Sequence, residues 1–154
     1  MPEVKLTEDC MRLISQFESL TGAGSRDCVV DERNARLIFV VNPGDMGLAI
    51  GKKGASIKKA SEVMGKKIEV VEYNSNPEQF IRNCFLPAQV TGMKFEGEPD
   101  QQTVTVDIRD EDRGIAIGKE GKNIFKAKKL ALRQHNIADI QILQKQDVSS
   151  GQGL

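Results

Sequence analysis

The spacing of apolar residues along the chain alternates between the period of a helix and that of a strand. These two periods predict where the helices and strands lie. Helical spacing covers residues 6–20, 55–64, 78–86 and 122–134. Runs rich in β-branched residues predict strands at 27–31, 35–41, 67–72, 88–95, 103–109 and 139–143. With a short helix before each of the helices at 55–64 and 122–134, the order helix–strand–strand–helix–helix–strand occurs twice.

Two of the predicted strands differ in the arrangement of their apolar residues, which predicts how each is buried. Residues 35–41 are apolar at consecutive positions from Leu37 to Val41, which indicates a strand covered on both faces. Residues 103–109 alternate apolar with polar side chains, which is typical of a half-buried strand. We therefore expect an α+β fold in which each half has a three-stranded mixed sheet covered on one face by helices.

A repeated stretch relates the two halves of the chain. Residues 47–60 recur as residues 114–127, and nine of the fourteen positions are identical. Similarity of this quality predicts one supersecondary unit built twice. We expect two tandem domains and a polar, flexible tail, at residues 5–73 (with the N-terminal helix 6–20), 77–143 and 144–154.

Charge is distributed unevenly, although the chain has no net charge. Residues 51–67 and residues 118–133 each carry a net charge of +5, which leaves −10 on the rest of the chain. Two solvated helix faces would explain these lysines without a ligand. The same excess at the same place in both repeats instead favours a site for a polyanion, because local fields steer association more than net charge does.

Each repeat contains Gly-Lys-x-Gly between a short apolar helix and a longer basic helix. The glycines Gly51 and Gly54 lack a Cβ atom, so the backbone between them can come close to a phosphate. The longer helix directs its positive end at this turn. Ile50 and Ile57 flank the turn and predict an apolar groove along the adjoining helix faces. This combination suits an unpaired nucleic-acid strand whose backbone is held at the turn and whose bases lie in the groove.

The candidate RNA-binding residues are the two turns, the flanking isoleucines and a lysine from the start of each longer helix. In the first repeat they are Ile50, Gly51, Lys52, Lys53, Gly54, Ile57 and Lys58. In the second repeat they are Ile117, Gly118, Lys119, Glu120, Gly121, Lys122 and Ile124. Because Glu120 stands where the first turn has Lys53, we predict tighter binding at the first turn. Asp45 and Asp112 are predicted to cap the short helices.

The repeated Ile-Gly-Lys-x-Gly-x-x-Ile, placed between two helices, resembles the GXXG loop of KH domains, which clamps about four nucleotides. The tandem resembles the type II KH pair of the NusA transcription factors, and is most similar to the archaeal NusA-like proteins. The stretches that carry this resemblance are 27–31, 47–54, 68–73 and 114–121. It implies two tandem type II KH domains that bind single-stranded RNA in transcription termination or antitermination, with RNA polymerase as a candidate partner.

Two other classes of function compete with RNA binding. A KH-fold module that docks on RNA polymerase, on the ribosome or on an RNA-processing complex is the alternative, and the acidic remainder of the chain would serve it. An enzyme is not expected, because Gly47 and Gly51 are one residue too close for a Walker-type phosphate loop and Lys53 stands where Ser or Thr is required.

Cofactors and metals are not expected either. Cys10, Cys28 and Cys84 show no paired metal-ligand spacing, and His135 is the only histidine. The longest apolar run is too short to span a bilayer. We expect a cytoplasmic monomer with reduced thiols and no membrane partner.

Overall fold

A computed structural model describes residues 4–143 of the chain, and the predicted order of elements occurs twice within them. The first set comprises α1 (Glu8–Thr21), β1 (Ser25–Asp31), β2 (Arg36–Val41), α2 (Met46–Ile50), α3 (Ala55–Met64) and β3 (Lys67–Glu72). The second set comprises α4 (Pro77–Phe85), β4 (Val90–Glu96), β5 (Thr103–Ile108), α5 (Arg113–Ile117), α6 (Lys122–His135) and β6 (Asp139–Ile142). A single 3-10 turn joins α2 to α3, and an equivalent one joins α5 to α6.

Each set of strands forms a three-stranded mixed sheet. In the first sheet β2 is central, antiparallel to β1 and parallel to β3. The second sheet repeats this arrangement, with β5 between the antiparallel β4 and the parallel β6. The predicted α+β fold with mixed sheets is therefore confirmed. Because β3 and β6 are edge strands that follow α3 and α6, each repeated motif lies next to one edge of its sheet.

The first helix forms as predicted and packs on the first sheet. The side chain of Thr7 accepts a hydrogen bond from the Cys10 amide at 3.1 Å and caps the helix, and Gly22 ends it in a left-handed conformation. Phe17 is fully buried and stacks on Phe39 of β2, with ring centroids 4.1 Å apart. The apolar face of α1 thus supplies part of the core that supports the first motif.

Both faces of β2 are buried, as its continuous apolar run predicts. Leu37, Phe39 and Val41 belong to the core beneath the helices. Ile38 and Val40, on the opposite face, are also completely buried. In the second sheet the alternation of β5 is confirmed, since Val104, Val106 and Ile108 are buried and the intervening residues are partly exposed. The two sheets therefore share a topology but differ in the burial of their second face.

A buried arginine on β2 was missed by the sequence analysis. Arg36 is fully buried, and its Nε donates to the Asp31 carboxylate at 2.7 Å. Its Nη1 donates to both carboxylate oxygens of Glu69, at 3.1 Å each. Burial acts to raise the pKa of Asp31, but hydrogen bonds from Asn34 and Arg36 outweigh it and hold that pKa below its ordinary value. The ion-paired cluster lets the first sheet bury a charged residue next to apolar ones.

Within the described residues, one compact unit ends at Asn83 and the other begins at Cys84, inside α4. The sequence-based domain limits at 73 and 77 stay a prediction. The tail predicted to be flexible, 144–154, lies outside the described residues. Among the helices of residues 4–143, none is long and apolar enough to cross a membrane.

Candidate nucleic-acid interface

At the first position of the first Gly-x-x-Gly turn, the backbone has a conformation that only glycine adopts readily. Gly51 has φ 77° and ψ 173°, and its amide donates to Gly47 O at 2.8 Å, which ends α2. A Cβ built on Gly51 would lie 2.7 Å from the backbone nitrogen of Ser56 and would collide with the Ser56 side chain. The start of α3 therefore packs directly against Gly51, so this glycine is required by the fold as well as by any ligand.

The second glycine of the turn is in a different situation. Gly54 has φ 78° and ψ 13° and precedes α3 as its N-cap. Its amide donates to Gly51 O at 3.1 Å, which closes the turn. A Cβ built here would meet no atom of the described residues within 4 Å, apart from its chain neighbours. The space over Gly54 is open, which would let the backbone of a ligand come close to the start of α3.

The second turn repeats this backbone closely. Gly118 has φ 79° and ψ 164°, and a Cβ on it would lie 2.8 Å from the backbone nitrogen of Asn123. Glu120 has φ 57° where Lys53 has φ 55°, so both side chains leave the turn from a left-handed residue. A change from Lys to Glu alters the charge of the turn and leaves its conformation unchanged.

The charged side chains of the turns are exposed to solvent. Lys52, Lys53, Lys119 and Glu120 are all exposed, and Lys58 on the first turn of α3 is exposed as well. Lys122, the first residue of α6, is partly buried. Both helices thus begin beside the turn with the positive end of their dipole, and the lysines add formal charge there. The first turn carries two positive charges, whereas the charges of Lys119 and Glu120 cancel in the second.

An open cavity of about 380 Å³ lies beside the second turn, between α5, α6 and β6. Four isoleucines form its apolar lining: Ile117, Ile124, Ile140 and Ile142. Ile117 directly precedes the turn and Ile124 follows it by three residues, as expected for a groove that continues from the turn. The predicted apolar groove is present in the second unit, although its contact with RNA stays a prediction.

Three polar residues at this cavity were not among the candidates: Arg113, Lys128 and Gln141. Arg113 Nη1 donates to the backbone oxygen of Leu143 at 2.7 Å, and Lys128 Nζ lies 3.3 Å from Asp139 Oδ1. Helical spacing could have identified Lys128, which lies four residues after Ile124 on the same face of α6. Arg113 and Gln141 gave no such signal, because the topology brings their elements together.

The corresponding residues of the first unit have other contacts. Ile50 is 38% exposed beside the first turn. Met46 and Ile57 are partly buried and pack against the hydrophobic core. Ser61, which occupies the position of Lys128, donates its hydroxyl hydrogen to Lys66 O at 2.7 Å. The positions of Met46 and Ser61 carry cations at the cavity in the second unit. In the first unit they instead contribute to core packing and to the end of α3.

The two aspartates before the repeats do not cap the short helices through their side chains, so that prediction is wrong. Each residue is at the N-cap position, but its carboxylate makes no capping hydrogen bond. Asp45 Oδ2 instead accepts from the Gly24 amide at 2.8 Å, and Asp112 Oδ2 accepts from the Gln89 amide at 2.9 Å. Each aspartate thus connects the start of its short helix to the residue just before the first strand of its sheet.

Comparison with known proteins matches both halves of the chain to KH domains. Residues 13–76 match the KH domain family, and residues 77–145 match the family of the NusA-like second KH domain. A protein of Methanococcus vannielii named "Probable transcription termination protein NusA" is 38% identical over 89% of this chain and 78% of its own length.

The chain belongs to the NusA-like family of tandem KH-domain proteins.

Two further comparisons show a similar extent of likeness. A protein of the same name from Halobacterium salinarum is 35% identical, over 90% of this chain and 98% of its own. The crystal structure of APE1850 superimposes with a TM-score of 0.81 at 37% identity, and covers 90% of this chain and all of its own. The resemblance inferred from the sequence and the tandem KH fold are both confirmed.

Proposed function

We propose that the protein binds single-stranded RNA through its two Gly-x-x-Gly turns and acts in transcription termination or antitermination. The observation that carries this proposal is the recurrence of one turn geometry at the start of a lysine-rich helix in both KH domains, with open space over Gly54 and only the Ile124 side chain, at 3.9 Å, near a Cβ built on Gly121. The name of two relatives, "Probable transcription termination protein NusA", agrees with it.

In this proposal the turns and the groove have different tasks. The backbone at each turn and Lys52, Lys53 and Lys119 contact phosphates, because exposed ammonium groups beside a helix N-terminus attract anions. The isoleucines on either side of each turn contact bases, whose faces are apolar. Single-stranded RNA exposes its phosphates and its unstacked bases together, so it fits both tasks, whereas a duplex keeps its bases stacked.

The proposal further assigns the protein a binding role without catalysis, in the cytoplasm and as a monomer, with RNA polymerase as a partner during transcription. The acidic remainder of the chain, with its net charge of −10, supports a second candidate, a KH-fold docking module on RNA polymerase or on a ribosomal or RNA-processing complex. Both candidates use the same fold, and they differ in whether the lysines of the turns contact RNA.

Reversing the charge of the turns separates the two candidates. Lys52→Asp combined with Lys53→Asp should weaken the binding of a fluorescent single-stranded RNA about tenfold or more, because each charge-assisted contact contributes roughly 1.5–3 kcal/mol. Lys119→Asp should weaken it less. Fluorescence anisotropy measures the affinity. The matched control is Lys5→Asp with Lys94→Asp, which changes the net charge equally at two exposed lysines outside the turns.

The dependence on salt provides a second measurement. The apparent affinity of the unchanged protein should fall with salt by a slope of roughly −0.7 for each phosphate that a lysine neutralises. The variants of the turns should reduce this slope, and the control variant should not. If RNA affinity is the same in the variants of both turns as in the unchanged protein, the RNA-binding proposal is wrong and the docking candidate is favoured.

A further inference from the structure

The cavity of the second unit combines an apolar lining with hydrogen-bond donors at its margin. Arg113 and Lys128 both line it, on α5 and α6, opposite the edge strand β6. Both side chains are donors only, since neither a guanidinium nor an ammonium group accepts a hydrogen bond. A base that enters between the isoleucines therefore meets hydrogen-bond donors at the edge of the cavity. The amide of Gln141 both donates and accepts, so it does not select between bases.

Contacts within the unit hold both cations at the cavity. Arg113 uses one N–H for the carbonyl oxygen of Leu143, at 2.7 Å. Lys128 lies 3.3 Å from the Asp139 carboxylate, and both side chains of this pair remain nearly half exposed. A guanidinium has five N–H groups and an ammonium has three, so each retains donors for a ligand. These contacts favour positions at the cavity before a ligand arrives, which lowers the entropic cost of using the two side chains.

Donor-only groups that face the exocyclic group at C6 of a purine or C4 of a pyrimidine divide the four bases into two classes. Guanine and uracil carry a keto oxygen, O6 or O4, which accepts a hydrogen bond. Adenine and cytosine carry an amino group, N6 or N4, at the same place, and an amino group donates. An amino group facing Arg113 and Lys128 would place donors opposite donors, so that base would forgo the hydrogen bond that a keto oxygen accepts there.

We propose that the cavity of the second KH domain selects keto bases, guanine and uracil, over adenine and cytosine through Arg113 and Lys128. This selectivity rests on the proposed RNA binding and adds to it a preference for keto bases at one site. It is confined to the second unit, because the corresponding Met46 packs against the core and the corresponding Ser61 bonds to Lys66 O. The first unit then supplies affinity through its doubly basic turn, and the second supplies base selection.

The test compares two RNAs that differ in this exocyclic group and in the neighbouring ring nitrogen, since uracil has N3–H where cytosine has a bare N3. Oligouridine and oligocytidine of about 12 nucleotides, enough for two KH footprints, have the same ring size and charge. The unchanged protein should bind oligouridine about tenfold more tightly, within the range for one good base contact. Oligocytidine with one central guanine should likewise bind more tightly than oligocytidine with one central adenine.

The variants replace each cation with the residue of the first unit. Lys128→Ser and Arg113→Met should each reduce the ratio of the two affinities, and the double variant should bring it close to one. Lys129→Ser is the matched control, because Lys129 is the exposed next residue of α6 and does not line the cavity. It should lower both affinities by the same factor and leave their ratio unchanged.

Circular dichroism checks that the variants remain folded. An unchanged ratio in the folded double variant, or equal binding of both RNAs by the unchanged protein, contradicts base selection while RNA binding stands. If the unchanged protein binds neither RNA, the proposed function itself is wrong. The two failures are therefore distinguishable in one set of titrations.

Discussion

The two Gly-x-x-Gly turns have nearly the same backbone and different chemistry. Gly51 and Gly118 differ by 2° in φ, and Lys53 and Glu120 also differ by 2°. The packing of the next helix against the first glycine fixes this conformation in both units. The side chains between the glycines are exposed and take no part in that packing. The fold therefore leaves charge free to vary at the position where a ligand would be held.

The two sheets differ in a way that concerns stability. Arg36 and Thr103 occupy equivalent positions in the two sheets. Each is the first residue of its central strand, and each pairs with the first residue of the parallel edge strand. Arg36 is completely buried with two carboxylates, whereas Thr103 is partly exposed. The first unit thus depends on a set of charges that the second unit does not have at this place.

The largest effect is expected from removing the buried cation. Arg36→Ala should destabilise the protein by about 3–5 kcal/mol, because it removes the buried cation that pairs with both Asp31 and Glu69. Thr103→Ala in the other sheet should cost less than about 1 kcal/mol. Urea unfolding followed by circular dichroism measures both. Equal losses at the two positions would contradict the difference described between the sheets.

The same cluster predicts a dependence on pH. The pKa of Asp31 is lowered in the folded protein from an ordinary value of 3.8, so its stabilising contribution is present above that value. It is lost as the pH falls through the lowered pKa, when the carboxylate takes up a proton. The free energy of unfolding should therefore fall less steeply in Arg36→Ala than in the unchanged protein over this acidic range.

An intermediate effect is expected at the first glycine of each turn. Gly51→Ala and Gly118→Ala should each cost about 2–3 kcal/mol, since the added Cβ meets backbone and the conformation is strained for any other residue. Gly54→Ala is the matched control and should cost about 1 kcal/mol, the strain of the positive φ alone, because its Cβ would point into open space. Thermal or urea unfolding measures the losses. A smaller loss at Gly51 than at Gly54 would show that Ser56 does not confine the turn.

The smallest effect is expected from making the second turn like the first. Glu120→Lys should raise the affinity for single-stranded RNA severalfold and steepen its salt dependence by roughly 0.7, one phosphate contact. Lys53→Glu should do the reverse. Neither change should alter stability much, because the backbone already holds both residue types in this conformation. Anisotropy titrations at several salt concentrations measure the affinity of both variants. An unchanged affinity in both would contradict the prediction that the first turn binds RNA more tightly than the second.

Sequence reasoning located the elements and the turns because their signals are local. Helical and strand spacing, the glycines and the capping Thr7 each act through neighbours along the chain. The roles of Asp45 and Asp112 were assigned wrongly for the same reason, since a local cap was expected while the actual donors lie at Gly24 and Gln89. The contacts of Arg36 with Asp31 and Glu69 likewise depend on strand pairing, and an arginine inside an apolar strand gives no sequence signal of its partners.

By itself, the sequence determined that one unit occurs twice, that each unit places a Gly-x-x-Gly turn before a basic helix, and that the turns carry unequal charge. These properties follow from residue types and their spacing. Only the tertiary structure decided that Arg36 is buried with Asp31 and Glu69, and that Arg113, Lys128 and Gln141 meet at one cavity. The physical reason is that burial and convergence depend on which elements pack together, and packing joins residues that are distant along the chain.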